Sequence, residues 1–407
     1  WLSLGFSLYL ERFIPHRKTM SLESGSITIR RFFVKGNSKP SSDASWLKAL
    51  KSASFVERKL DLEEENAGWA VFGDELATDF SLDNSVNGKF VVFSLRKESI
   101  RVPASLVNLH VKHHVKERMK AEETETIPQA QKAEIKDEVV QSLLEQTSPK
   151  IQVIQVMVDT ARGEVFLTST SDKVLDAFDA LFNKSFGLGL QQSNFPATAL
   201  QLLGPDRFDK VLDDPGITIG NPIEIHPEFE DALEGKLGAA FLTWLLFTIE
   251  NGDGTWSSKH QGEVGLVLNE SLVLEGEALG SKQIALKKGV LAQCAELAVS
   301  LNIGKLVSKI RLTAARDGGA EEKNEVEQWN FTLDKLNFDF VSMKVPKSNE
   351  GPAVARLLAR LNSVVDIVEL LEDLFENFLE IRYGKKWEGI HEEMSSWVKS
   401  LQRKSKT

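Results

Sequence analysis

The 407-residue chain contains a single cysteine, Cys294. An internal disulfide is therefore excluded, and a reducing, cytoplasmic compartment is expected. The helical-looking run VLAQCAELAVSL around it predicts a buried, reduced thiol. Long apolar runs are missing as well. The longest, FLTWLLFTI at 241–249, falls well short of the roughly 20 residues that span a bilayer and reads as core. No membrane partner is expected. Residues 1–19 precede Met20 and lack both a basic n-region and a small-residue cleavage site. They read as an upstream extension with Met20 as the natural start, and a truncated signal peptide is the competing reading.

Catalytic signatures are equally scarce. FGLGLQ at 186–191 has too few glycines for a phosphate loop and no following Lys-Ser/Thr. His110 and His114 share a helix face at metal-pair spacing. They are not in an HExxH motif, and the neighbouring lysines repel a cation. No Ser-His-Asp or Cys-His set can be assembled. The expectation is a non-enzyme with no catalytic residue, no metal site and no cofactor.

What the chain does contain is ordinary globular material, 42% hydrophobic and 27% charged, with a formal net charge of -10. The pattern predicts an α+β fold of antiparallel sheets, a projecting helical hairpin and a helical C-terminus. A first strand is expected over 26–34 and a helix over 44–55. Asn87-Gly88 signals a hairpin before the strand KFVVFSLR. Pro103 opens a helix in which Val107, Val111, Val115 and Met119 recur every four residues, with Lys112, Lys116 and Lys120 on another face. A polar break, AEETETIPQAQ, separates it from a second helix, KAEIKDEVVQSLLEQ. Strands IQVIQVMVDT and GEVFLTS follow, then a helix over 171–186. A loop excursion is expected over 204–235, a helix over 288–301, a hairpin in WNFTLDKLNFDFVSM and near-continuous helix from Pro352.

Basic residues are concentrated in two places. From Arg96 to Lys120, the residues Arg96, Lys97, Arg101, Lys112, Lys116, Arg118 and Lys120 outnumber Glu98 and Glu117 for a net +5. From Lys282 to Arg311, six basic residues including Lys305, Lys309 and Arg311 outnumber Glu296, again +5. Solvated faces are one reading. If the fold brings the segments together, they form a phosphate-tracking surface on an otherwise acidic protein. Lysine suits point-charge contact with phosphate better than base reading, so sequence-independent duplex binding is the inference.

Several short motifs occur in a telling order. They are Gly68-Trp69, Val86-Asn87-Gly88, RVPASLVN (101–108), IKDEVVQSLL (135–144), VMVDTARGEV (156–165), Gly304-Lys305 in IGKLVSKIRL, and FDFVSM (338–343). Over roughly residues 20 to 345 this order resembles the recombination-associated protein RdgC family. The resemblance implies a cytoplasmic, nucleoid-associated homodimer, a ring that encircles double-stranded DNA and restrains the RecA recombinase without catalysis. It implies that 20–100 is the first α+β part of a central domain and 101–150 a helical finger or tip. Residues 151–235 would be a second α+β part with a linker, 236–345 a base and central region, and 346–407 C-terminal helices. The residues assigned to DNA are Arg96, Lys97, Arg101, Lys112, Lys116, Arg118, Lys120, Lys132, Lys136, Lys305, Lys309 and Arg311. The segment EQTSPK at 145–150 departs from the aromatic and basic run that family members can carry there. An alternative is an assembly protein whose basic faces meet an acidic protein partner, with no direct DNA contact.

Overall fold

A computed structural model describes residues 21–35, 42–61, 64–220, 233–276, 282–287, 294–317, 326–347 and 351–404. In chain order it begins β1 (Ile27–Lys35), α1 (Asp43–Ser52), β2 (Glu65–Ala70), α2 (Leu82–Ser85), β3 (Val86–Asn87) and β4 (Phe90–Ser99). Next come α3 (Ala104–Ala121), α4 (Gln129–Gln146), β5 (Lys150–Asp159), β6 (Glu164–Leu167), α5 (Asp172–Phe186) and β7 (Gly189–Gln192). Then follow α6 (Phe195–Leu203), α7 (Pro205–Leu212), α8 (Leu233–Asn251), β8 (Thr255–Ser258), β9 (Gly262–Glu275) and β10 (Gln283–Lys287). The last are α9 (Ala295–Asn302), β11 (Leu306–Asp317), β12 (Val326–Asp334), β13 (Phe340–Lys344), α10 (Ala353–Arg382) and α11 (Trp387–Lys404). The fold is α+β with antiparallel sheets and a helical C-terminal region. No described helix is long and apolar enough to cross a membrane.

The chain divides into two compact units. One comprises residues 36–160 and 171–189, the other 1–35, 161–170 and 190–407. In the first, β4 is central, paired with β2 on one side and β5 on the other, and with β3 through a tight hairpin. Gly88 closes that hairpin with φ 62°, a left-handed conformation that costs glycine nothing. Trp69 is fully buried, edge-on to Phe93 and Phe178, and its indole N–H donates to Ser185 Oγ at 2.8 Å. Helix α5 brings Val174, Phe178, Phe182 and Phe186 to this core, spaced four apart on one buried stripe. Gly68 has a separate reason. A Cβ there would lie 2.4 Å from Phe55 Cα, where the 53–55 backbone exchanges hydrogen bonds with Trp69.

The second unit carries the sheet order β10-β9-β11-β12-β13-β1-β6, with β7 on β1 and β8 on β9. Helix α8 covers it as a buried helix, and FLTWLLF lies in its core-facing half as expected. Phe241 packs against Phe375 and Phe378 of α10. Glu372 of α10 sits between Arg31 (2.5 Å) and Arg162 (2.6 Å), with Arg31 fully buried. Burial works against the Glu372 carboxylate, but the two guanidiniums overcome it and hold its pKa low. Asp339 is different. Burial pushes its carboxyl up to about 6 despite Arg30 at 2.8 Å.

Three local expectations change. The expected loop excursion over 204–235 contains α7, started by Gly204 and by Pro205, whose missing N–H is harmless in a first turn. Its stretch 221–232 lies outside the described residues. The helix expected over 288–301 is described from Ala295, and 288–293 lie outside. Cys294 is half-buried at the N-cap of α9, not on a buried helix face, and its thiol meets Glu296 Oε2 at 2.7 Å. The expected extension at 1–19 is also outside the described residues.

Candidate nucleic-acid interface

The hairpin α3–α4 is built as its sequence spacing predicts. Pro103 and Pro128 stand at the N-caps, and each helix runs 18 residues. Val107, Ile135, Val139 and Leu143 form the buried seam, with Val102, Val111, Val115 and Val140 packed against it. A fully buried aliphatic side chain contributes about 1.5–3 kcal/mol, so this seam is the main support of the pair. Leu144 turns away to join Leu60 and Ile100, which fixes the base of the hairpin within its unit. At the tip Glu123 takes φ 52°, and Thr124 N–H donates to Met119 C=O at 3.0 Å.

The seam fixes where the charges point. At 3.6 residues per turn, Lys112, Lys116 and Lys120 fall on the side of α3 away from the seam. All three are exposed, and among the described residues none has a carboxylate partner. Lys132 and Lys136 of α4 are likewise exposed. In an antiparallel pair like flanks of the two wheels meet, which puts Lys112 and Lys136 along one edge of the hairpin, with Asp137 as the acidic residue on that side. The opposite edge carries His110, His114 and Glu117 of α3 with Glu134, Glu138 and Glu145 of α4. Arg101 is exposed at the base. Arg118 is exposed too, but is tied to Glu122 at 2.8 Å, a surface pair that adds little to stability.

Summed over 101–150, eight basic residues face eight acidic ones. Arg101 precedes α3 and Lys150 belongs to β5, so residues 104–146 themselves hold six basic against eight acidic residues, and the positive field comes from separation of charge between two edges. The acidic half of this balance was outside the segment whose charge reads +5.

The other expected DNA-facing residues are placed differently. Arg96 and Lys97 are buried on β4. Arg96 pairs with Glu98 and with Glu57 (3.3 Å), its guanidinium lying 4.2 Å from the centre of the Phe55 ring. Lys97 meets Glu65 at 2.7 Å across the β2–β4 ladder. Their charge is spent inside the unit, which removes both from the exposed basic set. The partners Glu57 and Glu65 lie more than 30 residues away in sequence, and only the β2–β4 register reveals them.

Lys305, Lys309 and Arg311 belong to the other unit. Lys305 is 1% exposed, and its ammonium donates to the carbonyls of Gly276 (3.1 Å) and Lys282 (3.3 Å). It clasps the connection between β9 and β10 and is turned away from solvent, and desolvation lowers its pKa. Lys309 faces outward from β11 but pairs with Asp334 at 2.9 Å. Arg311 is half-buried on the same outward face.

Among the described residues no three His, Cys, Asp or Glu side chains are grouped to hold a metal ion. His113 and His114 both approach Glu117, at 3.4 and 3.5 Å, and their rings lie edge to face.

Residues 36–201 match the family model described as "Putative exonuclease, RdgC". That stretch holds the whole α3–α4 hairpin and about two-fifths of the chain. No curated protein sequence matches.

Proposed function

We propose that this chain, RdgC-like over residues 36–201, binds double-stranded DNA without sequence preference through the basic edge of its α3–α4 hairpin. The observation that carries this reading is a set of six exposed cations, Arg101, Lys112, Lys116, Lys120, Lys132 and Lys136. The five lysines lie on the α3–α4 pair and Arg101 just before it, and among the described residues none of the six is ion-paired to a carboxylate. Five of the six cations are ammonium groups on flexible stems, which suit a row of phosphates better than base reading; the sixth, Arg101, is a guanidinium at the base. On this reading the protein works by occupying DNA. It acts as a nucleoid-associated homodimer that closes around the duplex and limits access by RecA, as the family resemblance implies. No residue is assigned to hydrolysis.

The test is a salt series with two unrelated duplexes. Similar affinities for both, falling steeply between about 50 and 200 mM salt, are expected. Absence of binding at low salt by the folded protein overturns the proposal.

One observation favours a second reading. Leu106 and Leu109 are 37% and 65% exposed on the lysine-bearing helix, and exposed leucines beside lysines suit an acidic, amphipathic protein partner. A partner retained after nuclease treatment, with no affinity for purified duplex, favours that reading over the first.

A further inference from the structure

The three histidines of α3 have no part in the lysine stripe, yet their placement is specific. His113 and His114 are 66% and 50% exposed at the side chain, and they share Glu117, the one acidic residue on α3. On the helical wheel His113 borders the Lys116–Lys120 stripe. His110 and His114 line the edge where α4 presents Glu134, Glu138 and Glu145. The remaining charged groups around them are Lys112, Lys116, Arg118 and Lys120 on α3, Lys132, Lys136 and Asp137 on α4, the last two on its other edge, and Glu122, Glu123 and Glu125 at the tip.

We propose that His110, His113 and His114 make the hairpin's hold on a polyanion proton-dependent, tightening it as pH falls. This rests on the duplex-binding reading above. Imidazole is the side chain whose charge changes between about pH 5 and 8. With the three rings neutral, α3 carries four cations against Glu117, and the α4 edge beside the rings is acidic. Protonation adds up to three positive charges. One extends the lysine stripe at His113. The other two offset part of the charge of Glu117 and the three α4 carboxylates, so this edge repels phosphate less as pH falls. The device needs no conformational change, since all three rings sit on a helix already held by the apolar seam.

The experiment compares wild type with a His110→Gln/His113→Gln/His114→Gln variant, whose helix content is checked by circular dichroism. Fluorescence anisotropy with one duplex at about 0.1 M salt is read at about pH 8 and about pH 5.5. Each imidazolium that meets a phosphate adds roughly 0.9 to the salt slope, or about eight-fold in affinity at that salt. Wild type is expected to bind at least about eight-fold tighter at the lower pH, with a steeper salt slope, and the variant to differ less than about two-fold. Wild-type binding that ignores pH, or an equal gain in the variant, overturns the proton dependence and leaves duplex binding standing. No binding at either pH overturns the duplex reading itself.

Discussion

Replacing Lys112, Lys116 and Lys120 together with alanine separates an exposed phosphate-binding face from charge that merely lies nearby in sequence. The three side chains are exposed, turned away from the Val107–Leu143 seam and unpaired with carboxylates among the described residues. Alanine is the strongest helix former, so α3 stays folded. Each phosphate that a lysine no longer neutralises takes about 0.9 off the log–log salt slope. At about 0.1 M salt that equals about 0.9 log units of affinity, or about 1.2 kcal/mol. Removing all three ammonium groups gives a slope shallower by about 2.7 and affinity lower by roughly 500-fold. The assay is equilibrium anisotropy with two unrelated duplexes over a salt series, and the loss should be equal for both. Lys97→Ala is the control. Lys97 is nearer the start of the same basic run but is buried against Glu65, so its loss should lower stability and leave the slope unchanged. An unchanged slope in the triple variant, or an equal change in Lys97→Ala, refutes the assignment of the hairpin edge.

Three further outcomes test the framework around the site. Glu372→Ala leaves Arg31 buried without its closest partner, and urea denaturation should show a loss of about 3–5 kcal/mol. Lys305→Ala removes the ammonium from the carbonyls of Gly276 and Lys282, the latter keeping the Gly276 N–H at 3.1 Å. It should cost about 1–3 kcal/mol in denaturation, with no change in the DNA salt slope. The carboxyl of Asp339 titrates at about 6 in the folded protein, above the roughly 3.9 of an unfolded chain. The native state then binds the proton more readily than the unfolded state between these values. Wild type should therefore gain stability, on the order of 2–3 kcal/mol from this group, as pH falls from about 7 to about 4. Subtracting the pH profile of Asp339→Asn isolates that gain, and a difference that is flat with pH contradicts it.

The hairpin was legible in the sequence because everything that builds it is local. Pro103 and Pro128 start the helices, valines four apart make the seam, and lysines four apart make the exposed stripe. The long helix at the C-terminus and the buried FLTWLLF segment were legible for the same reason. What escaped was charge compensation between distant elements. Arg96 and Lys97 read as part of a basic run, but a strand exposes its side chains to partners set by ladder register. Here β2 supplies Glu65, and Glu57 stands just upstream of that strand. Lys305 was misleading in the opposite sense. A lysine in a strand lead-in reads as exposed, yet backbone carbonyls from the β9–β10 connection can satisfy an ammonium inside the fold. A count of charge along the chain therefore overstates the basic surface where strand residues pair with distant carboxylates, and on a solvated helix it holds only when neighbouring acids such as Glu122 are counted too. The same wheel argument that isolates the lysines also shows the acidic edge of α4, which a count ending at Lys120 omits. The electrostatics of the hairpin thus depend on two edges of opposite sign, and its attraction for a polyanion is set by how strongly the histidine-bearing edge opposes the lysine-bearing one.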